Sequence, residues 1–179
     1  MRQARVAPSG IERSFGGDEI IVTKTDLRGH ITYANDVFLR VSAFDETDVI
    51  GKPHNLIRHP DMPRCIFDRL WSTLQDGREM FAYVVNLAQD GAHYWVYAHV
   101  TPSTDHAGTR VGYHSNRRVP SRAALDRVQP LYRRLVAEEQ RHPRPADALA
   151  ASTALLEAEL AAAGLDYDAY VWSLAGVAA

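Results

Sequence analysis

The 179 residues predict an α+β fold, a five-stranded antiparallel sheet with short helices gathered on one face and a helical extension at the C-terminus. Three observations carry that expectation. Two β-rich segments joined by a tight turn open the chain, a run of short helical segments and one strongly periodic helix follows, and three further β-rich segments come in succession.

Residues 19–25, EIIVTKT, and 30–35, HITYAN, are β-rich, and the DLRG between them supplies the Asp and Gly of a tight turn, so they read as a hairpin. Over 36–42, Val37, Phe38 and Val41 recur at helical spacing, and 45–50 forms another short helix that Gly51 ends before Pro53. From Pro63 to Gly77 the residues Ile66, Phe67, Leu70, Trp71 and Leu74 repeat every three or four positions. Asp61 is placed to cap that helix and Gly77 to stop it. Residues 80–87, 92–101 and 109–117 alternate or run β-rich, separated by the reverse-turn sequences QDG and DHAG, and so form three antiparallel strands.

The sheet is expected to end near Arg118. Beyond it, 121–128 and 131–139 are amphipathic, with Leu125, Val128, Leu131, Tyr132, Leu135 and Val136 in one stripe and Pro130 expected to kink or restart the helix. HPRP at 142–145 reads as a stiff linker. Residues 146–163 place Leu149, Leu156 and Leu160 on one helical face, Gly164 ends that helix, and a last apolar piece carries Tyr167, Tyr170, Val171 and Trp172. The organisation expected is a flexible segment over 1–18, a sheet domain over 19–118, and a helical extension over 119–179 for docking or dimerisation.

A hydrophobic content of 46% suffices for a real core. With 20 basic against 22 acidic residues, the net charge of -2 gives no general attraction to nucleic acid or to an anionic membrane. The single Cys65 excludes a disulfide framework within the chain and any multi-cysteine metal site. The charged N-terminus has no signal-peptide core, and no uninterrupted apolar run reaches membrane-spanning length, so the expectation is a cytoplasmic protein without direct membrane insertion. Nucleophile elbow, P-loop, dinucleotide fingerprint and H-E-x-x-H are all missing, so the chain reads as a non-enzyme.

The densest polar chemistry lies at 51–63, GKPHNLIRHPDMP. His54, Asn55, Arg58, His59 and Asp61 offer donors, acceptors and a fixed cation, Leu56 and Ile57 give the segment an inward face, and three prolines stiffen it. Such a segment suits an anionic, planar ligand.

ITYAND at 31–36, GKPHNLIRHPDMP at 51–63, FDRLWSTLQDG at 67–77 and DGAHYWV at 90–96, together with the order of elements, resemble PAS domains. Within that family the likeness is to the FAD-binding PAS domains of bacterial aerotaxis receptors, and it runs from Ile20 to Arg118. The resemblance implies non-covalent FAD, a redox, oxygen or energy signal rather than turnover, and flavin contacts from Asn35, His54, Arg58, His59, Asp61, Phe67, Trp71 and Asn86. It also implies a signalling protein or chemoreceptor as partner, while the apolar stripes of the terminal helices suit either packing on the sheet or a homodimer. Two positions depart from the subgroup's pattern: its usual strand-start Trp is Met80 or Phe81 here, and the basic residues that usually follow the strand Asn are Leu87 and Ala88. Since no membrane anchor or signalling rod occurs in these 179 residues, the expectation is a stand-alone sensor whose output passes through a partner.

On this reading Trp71 and Phe67 wall the flavin ring, Asn35 and Asn86 read its carbonyl and imide edge, and Arg58 meets the pyrophosphate or a ring carbonyl. Each has a plainer alternative. An Asn between strand and helix is commonly an N-cap, the two aromatics suit an ordinary core, and Arg58 suits a surface charge. Trp95 is assigned to sheet packing. A metal site at His54, His59, Asp61 and Cys65 has the wrong spacing. Two alternatives to FAD stay open: a haem sensor with His54 or His59 as axial ligand, and a cofactor-free PAS interaction module, which Met80, Leu87 and Ala88 favour.

Overall fold

The computed structural model describes residues 6–176. The strands are β1 (Ile21–Thr25), β2 (Ile31–Ala34), β3 (Met80–Leu87), β4 (His93–Thr104) and β5 (Arg110–Arg118). The helices are α1 (Asp36–Ser42), α2 (Glu46–Val49), α3 (Arg64–Gln75), α4 (Arg122–Gln140), α5 (Pro145–Ala163) and α6 (Tyr167–Ala175), with a 3-10 turn at His54–Ile57. The sheet order is β2-β1-β5-β4-β3, so the first and last strands meet at its centre. Neighbours β1 and β2, β1 and β5, and β4 and β5 are antiparallel. This is the expected five-stranded α+β architecture with C-terminal helices.

Local chemistry accounts for the turns. Asp26 Oδ1 accepts from the backbone N–H of Arg28 and of His30, each at 2.8 Å, which closes the β1–β2 hairpin. Asp105 Oδ1 does the same between β4 and β5, accepting from Ala107 N at 2.9 Å and Thr109 N at 2.8 Å. Gly112 lies where the backbone of β1 comes close, because a Cβ there would run into the carbonyl oxygen of Thr25.

The chain forms two compact units. One takes the chain up to His59 together with Val84–Val119; the other takes Pro60–Tyr83 and the chain from Pro120 onward. Residues 60–83 group with the terminal helices, and the division runs through β3. In the first unit Ile21, Ile31, Phe38, Val41, Tyr94 and Val96 are fully buried between the strands and short helices. In the second, Ile66 and Leu74 of α3, Leu125 and Leu135 of α4, Leu156 and Leu160 of α5, and Val171 of α6 form the core.

Three expectations need correction. Among the described residues of the N-terminal segment, Ser9 N donates to Gly91 O at 2.8 Å, His93 N to Ile11 O at 2.9 Å and Arg13 N to His93 O at 2.7 Å. Arg13 also pairs with the Asp90 carboxylate and Phe15 is buried, so this stretch is an ordered strap along the start of β4 rather than a flexible lead. Asp61 does not cap α3: the N-cap position is Pro63, which offers no side-chain bond, and the Arg64 N–H donates to Glu139 Oε1 of α4 at 2.6 Å. Pro130 does not restart the helix, because α4 runs unbroken through it. The buried positions before it, Leu125 and Val128, stay in helical phase with Leu131, Tyr132 and Leu135 after it, so packing of one face outweighs the lost hydrogen bond. Residues 1–5 and 177–179 of these expectations lie outside the described residues.

The second unit is tied by polar contacts as well. Tyr132 Oη donates to Tyr83 O at 2.7 Å, Arg69 pairs with Glu157 and lies 5.0 Å from the Tyr167 ring centroid, and Arg134 Nη2 meets Glu159 at 2.8 Å. Among the described residues no single helix is long and apolar enough to cross a membrane, and α5 with α6 passes that test only as a pair bent by 67°.

Candidate functional site

The first unit's sheet presents an unusual inner row. In β5 the buried positions alternate as Tyr113, Ser115 and Arg117. Across the register Arg117 faces Ile21 of β1 and Ala98 of β4, and Ser115 faces Thr23 and Val100. An arginine thus occupies a position in phase with the core of a central strand.

Arg117 is 4% exposed. Its Nη2 donates to Thr23 Oγ1 at 2.6 Å and lies 2.7 Å from His54 Nε2. Arginine can only donate, so His54 accepts through a lone pair on Nε2 and carries its proton on Nδ1. Burial, and then the Arg117 charge, push His54 down to about 3, which keeps the imidazole neutral and fit for that role. Burial lowers Arg117 to about 10, with Tyr94 acting in the opposite sense, so the guanidinium stays charged at neutral pH.

Among the described residues, several buried polar atoms of this unit have no hydrogen-bond partner: Arg117 Nη1, Ser115 Oγ, Thr25 Oγ1, Tyr94 Oη and Asn86 Nδ2. Tyr94 is fully buried; burial raises its phenol, and the Arg117 and Arg13 charges pull against that. A buried polar atom left unpaired costs about 1–3 kcal/mol, so each of these atoms calls for a partner from outside the protein, such as water or a ligand.

The residues expected from the sequence separate into three groups. His54, Arg58 and Asn86 all lie in the first unit, where Arg58 and Asn86 pair as an isolated antiparallel bridge, Asn86 is 3% exposed and His54 meets Arg117. Asn35 and His59 are in the same unit but are otherwise engaged. Asn35 Oδ1 accepts from Phe38 N and Val22 N at 3.0 Å each and its Nδ2 donates to Ile20 O at 2.8 Å, so it caps α1 and ties it to β1. The buried His59 ring packs on His93 with centroids 5.7 Å apart. Asp61, Phe67 and Trp71 belong to the second unit, where Asp61 is exposed, Phe67 half-buried and Trp71 36% exposed. Leu87 and Ala88 are buried, so the places where the subgroup carries basic residues are apolar core here.

Arg117, Thr23, Ser115 and Tyr94 were not anticipated. The signal was present in RVGYHSNRR, whose period of two puts Arg117 in phase with Tyr113 and Ser115. Among the described residues no group of three or more His, Cys, Asp or Glu is placed to hold a metal ion. Cys65, in the second unit, is buried and its thiol is pushed up to about 11, chiefly by burial.

Comparison with known proteins places this geometry in a family. The model of the PAS fold matches residues 20–114. The aerotaxis receptor of Escherichia coli K12 is 39% identical over 120 residues, which are 67% of this chain and 24% of the receptor. The nitrogen fixation regulatory protein of Klebsiella pneumoniae is 30% identical over 83 residues, 46% of this chain and 17% of that protein. The chain therefore spans about a quarter or less of the curated relatives it matches. Among solved structures, the PAS domain of a protein from Colwellia psychrerythraea superposes with a TM-score of 0.51 at 21% identity, covering 56% of this chain and 85% of that one. The dark structure of the blue-light photoreceptor Aureochrome1 LOV gives 0.52 at 22% identity, covering 68% and 83%. Those two likenesses concern the fold alone. With the sheet order, the short-helix cluster and the family match over more than half its length in agreement, this chain belongs to the PAS family.

Proposed function

We propose that this PAS domain is a non-catalytic sensor that binds a flavin, FAD by its resemblance to aerotaxis receptors, without a covalent link, and reports redox, oxygen or energy state to a signalling protein or chemoreceptor. The observation that carries the reading is the set of buried atoms without a protein partner in this unit, Arg117 Nη1, Ser115 Oγ, Asn86 Nδ2 and Tyr94 Oη. An isoalloxazine ring suits them, since its pyrimidine edge offers two carbonyl acceptors and an imide N–H to donors and hydroxyls of this kind. When bound, a flavin supplies reversible uptake of electrons and protons from a soluble electron carrier on one planar ring. Arg117 and Ser115 would orient that edge, Asn86 would fix its register, and His54 would hold the guanidinium in place from behind. Arg58, His59, Asp61, Phe67 and Trp71 enter through the resemblance. A buried, protonated Cys65 is consistent with non-covalent binding.

His54 stands on the 3-10 turn His54–Ile57, so a change of charge felt by Arg117 reaches the short-helix cluster through one hydrogen bond. That gives the signal a first step: repacking of the turn shifts the population of two arrangements, which a partner or a second copy reads. The protein is proposed to act in the cytoplasm.

The test is an absorption spectrum of the purified protein, anaerobic titration with dithionite, and identification of the extracted chromophore. A flavin spectrum that bleaches on reduction, with FAD in the extract, is the expected result. A colourless protein that also fails to take up added FAD would sink the reading. That outcome would favour the interaction module, for which the burial of Leu87 and Ala88 speaks. The haem alternative has a specific obstacle at His54, whose Nε2 lone pair already accepts from Arg117.

A further inference from the structure

We infer that Arg117 is the charge-selecting residue of the site, a fixed cation without a counter-ion that makes the pocket hold the electron-rich, reduced form of its ring ligand more tightly than the oxidised form. The inference rests on the flavin reading and assigns to it a residue that the motif at 51–63 does not contain.

The argument starts from charge balance. Arg117 is 4% exposed, and among the described residues its partners include no carboxylate. What it touches is neutral: the Thr23 hydroxyl and the His54 imidazole take Nη2. The ionisable groups whose interaction with Arg117 is resolved are His54 and Tyr94, neither of which supplies a negative charge at neutral pH. A buried guanidinium normally finds a carboxylate, because desolvating it alone costs far more than any neutral contact returns. Here Nη1 stays unpaired, and the neighbouring position on the same face, Ser115, keeps a free hydroxyl. The sheet has therefore built half of an ion pair and left the other half to the ligand.

The energetic consequence follows from differential binding. Two electrons and one proton delivered by a chemical reductant leave the ring system with one more negative charge than before. Arg117 attracts that charge in a site shielded from solvent, whereas its interaction with the oxidised ring is limited to a hydrogen bond at a carbonyl. By linkage, tighter binding of the reduced form raises the midpoint potential of the bound couple above that of the free one. His54 keeps Arg117 in place without competing for the charge.

The experiment compares dissociation constants of added FAD under air and under dithionite, for the full chain and for Arg117→Gln and Arg117→Lys. The wild type is expected to bind the reduced form at least about tenfold more tightly, which for a two-electron couple is about 30 mV. Arg117→Gln should lose most of that preference, and Arg117→Lys should retain most of it. Equal affinities in the two states for the wild type would overturn the inference whatever the variants do, and so would a preference that survives Arg117→Gln in folded protein. A wild type that takes up no flavin in either state defeats the flavin reading itself, and this inference with it.

Discussion

Arg117 Nη2 lies 2.7 Å from His54 Nε2, joining the last strand of the sheet to the 3-10 turn of the motif that dominates the sequence. Only a neutral imidazole can accept that bond, and protonation would set two cations against each other in a buried place.

Stability should therefore depend on pH through His54. Its folded value is about 3 against an ordinary 6.5, so between those limits the unfolded chain holds a proton that the folded chain does not. The folded state is then fully favoured above about pH 6.5 and loses ground as pH falls toward 3, with a slope of at most about 1.4 kcal/mol per pH unit. Urea midpoints measured from pH 7 to pH 4 on the wild type and on His54→Gln should diverge at neutral pH and converge on acidification. Parallel profiles would show that His54 does not titrate in this way.

The α3 N-terminus depends on a distant residue. The carboxylate of Glu139, 9% exposed, accepts the Arg64 N–H at 2.6 Å. Glu139→Ala should cost about 1–2 kcal/mol, by analogy with loss of a helix cap, and Glu139→Gln, which keeps an acceptor oxygen, should cost less than half of that. Denaturant unfolding followed by circular dichroism decides between this and a mere charge effect, for which both variants would behave alike.

Tyr132 gives a milder case. Its hydroxyl donates to the Tyr83 carbonyl at 2.7 Å in a buried setting, so Tyr132→Phe removes one hydrogen bond and leaves the ring packing intact. A loss of about 1 kcal/mol in the free energy of unfolding is expected.

Gly112 and Gly17 form a paired test of steric room. A Cβ at Gly112 would meet the Thr25 carbonyl, while one at Gly17 meets nothing within 4 Å. Gly112→Ala should destabilise by roughly 1–3 kcal/mol as the two strands are forced apart, and Gly17→Ala should stay within about 0.5 kcal/mol of wild type, read as thermal midpoints.

Much of the fold was open to reading from residue patterns. The DLRG turn, the helical spacing of Ile66, Leu70 and Leu74, and the Gly164 stop are local, and local rules place them correctly. The hairpin order then follows, because adjacent β-rich segments joined by short turns have few other ways to pair. In the site, His54 and Arg58 stood out because they belong to a dense polar segment, whereas Asn86 came only through the resemblance. Asn35 fills the N-cap role expected of an Asn between strand and helix, accepting from Phe38 N, and it also bonds Val22 and Ile20.

What the sequence determined by itself was the order of elements, the PAS resemblance and the polar segment at 51–63, all of which depend on residues near one another in the chain. Tertiary structure alone decided the rest. Glu139 caps a helix 75 residues away, Pro130 is carried inside α4 by the face on either side of it, and Arg117 reaches His54 across a separation of 63 residues. The reason is the same in each case. Whether a charge is capped, buried or left unpaired is set by what the fold brings against it, and periodicity can name the face a side chain occupies but not its partner.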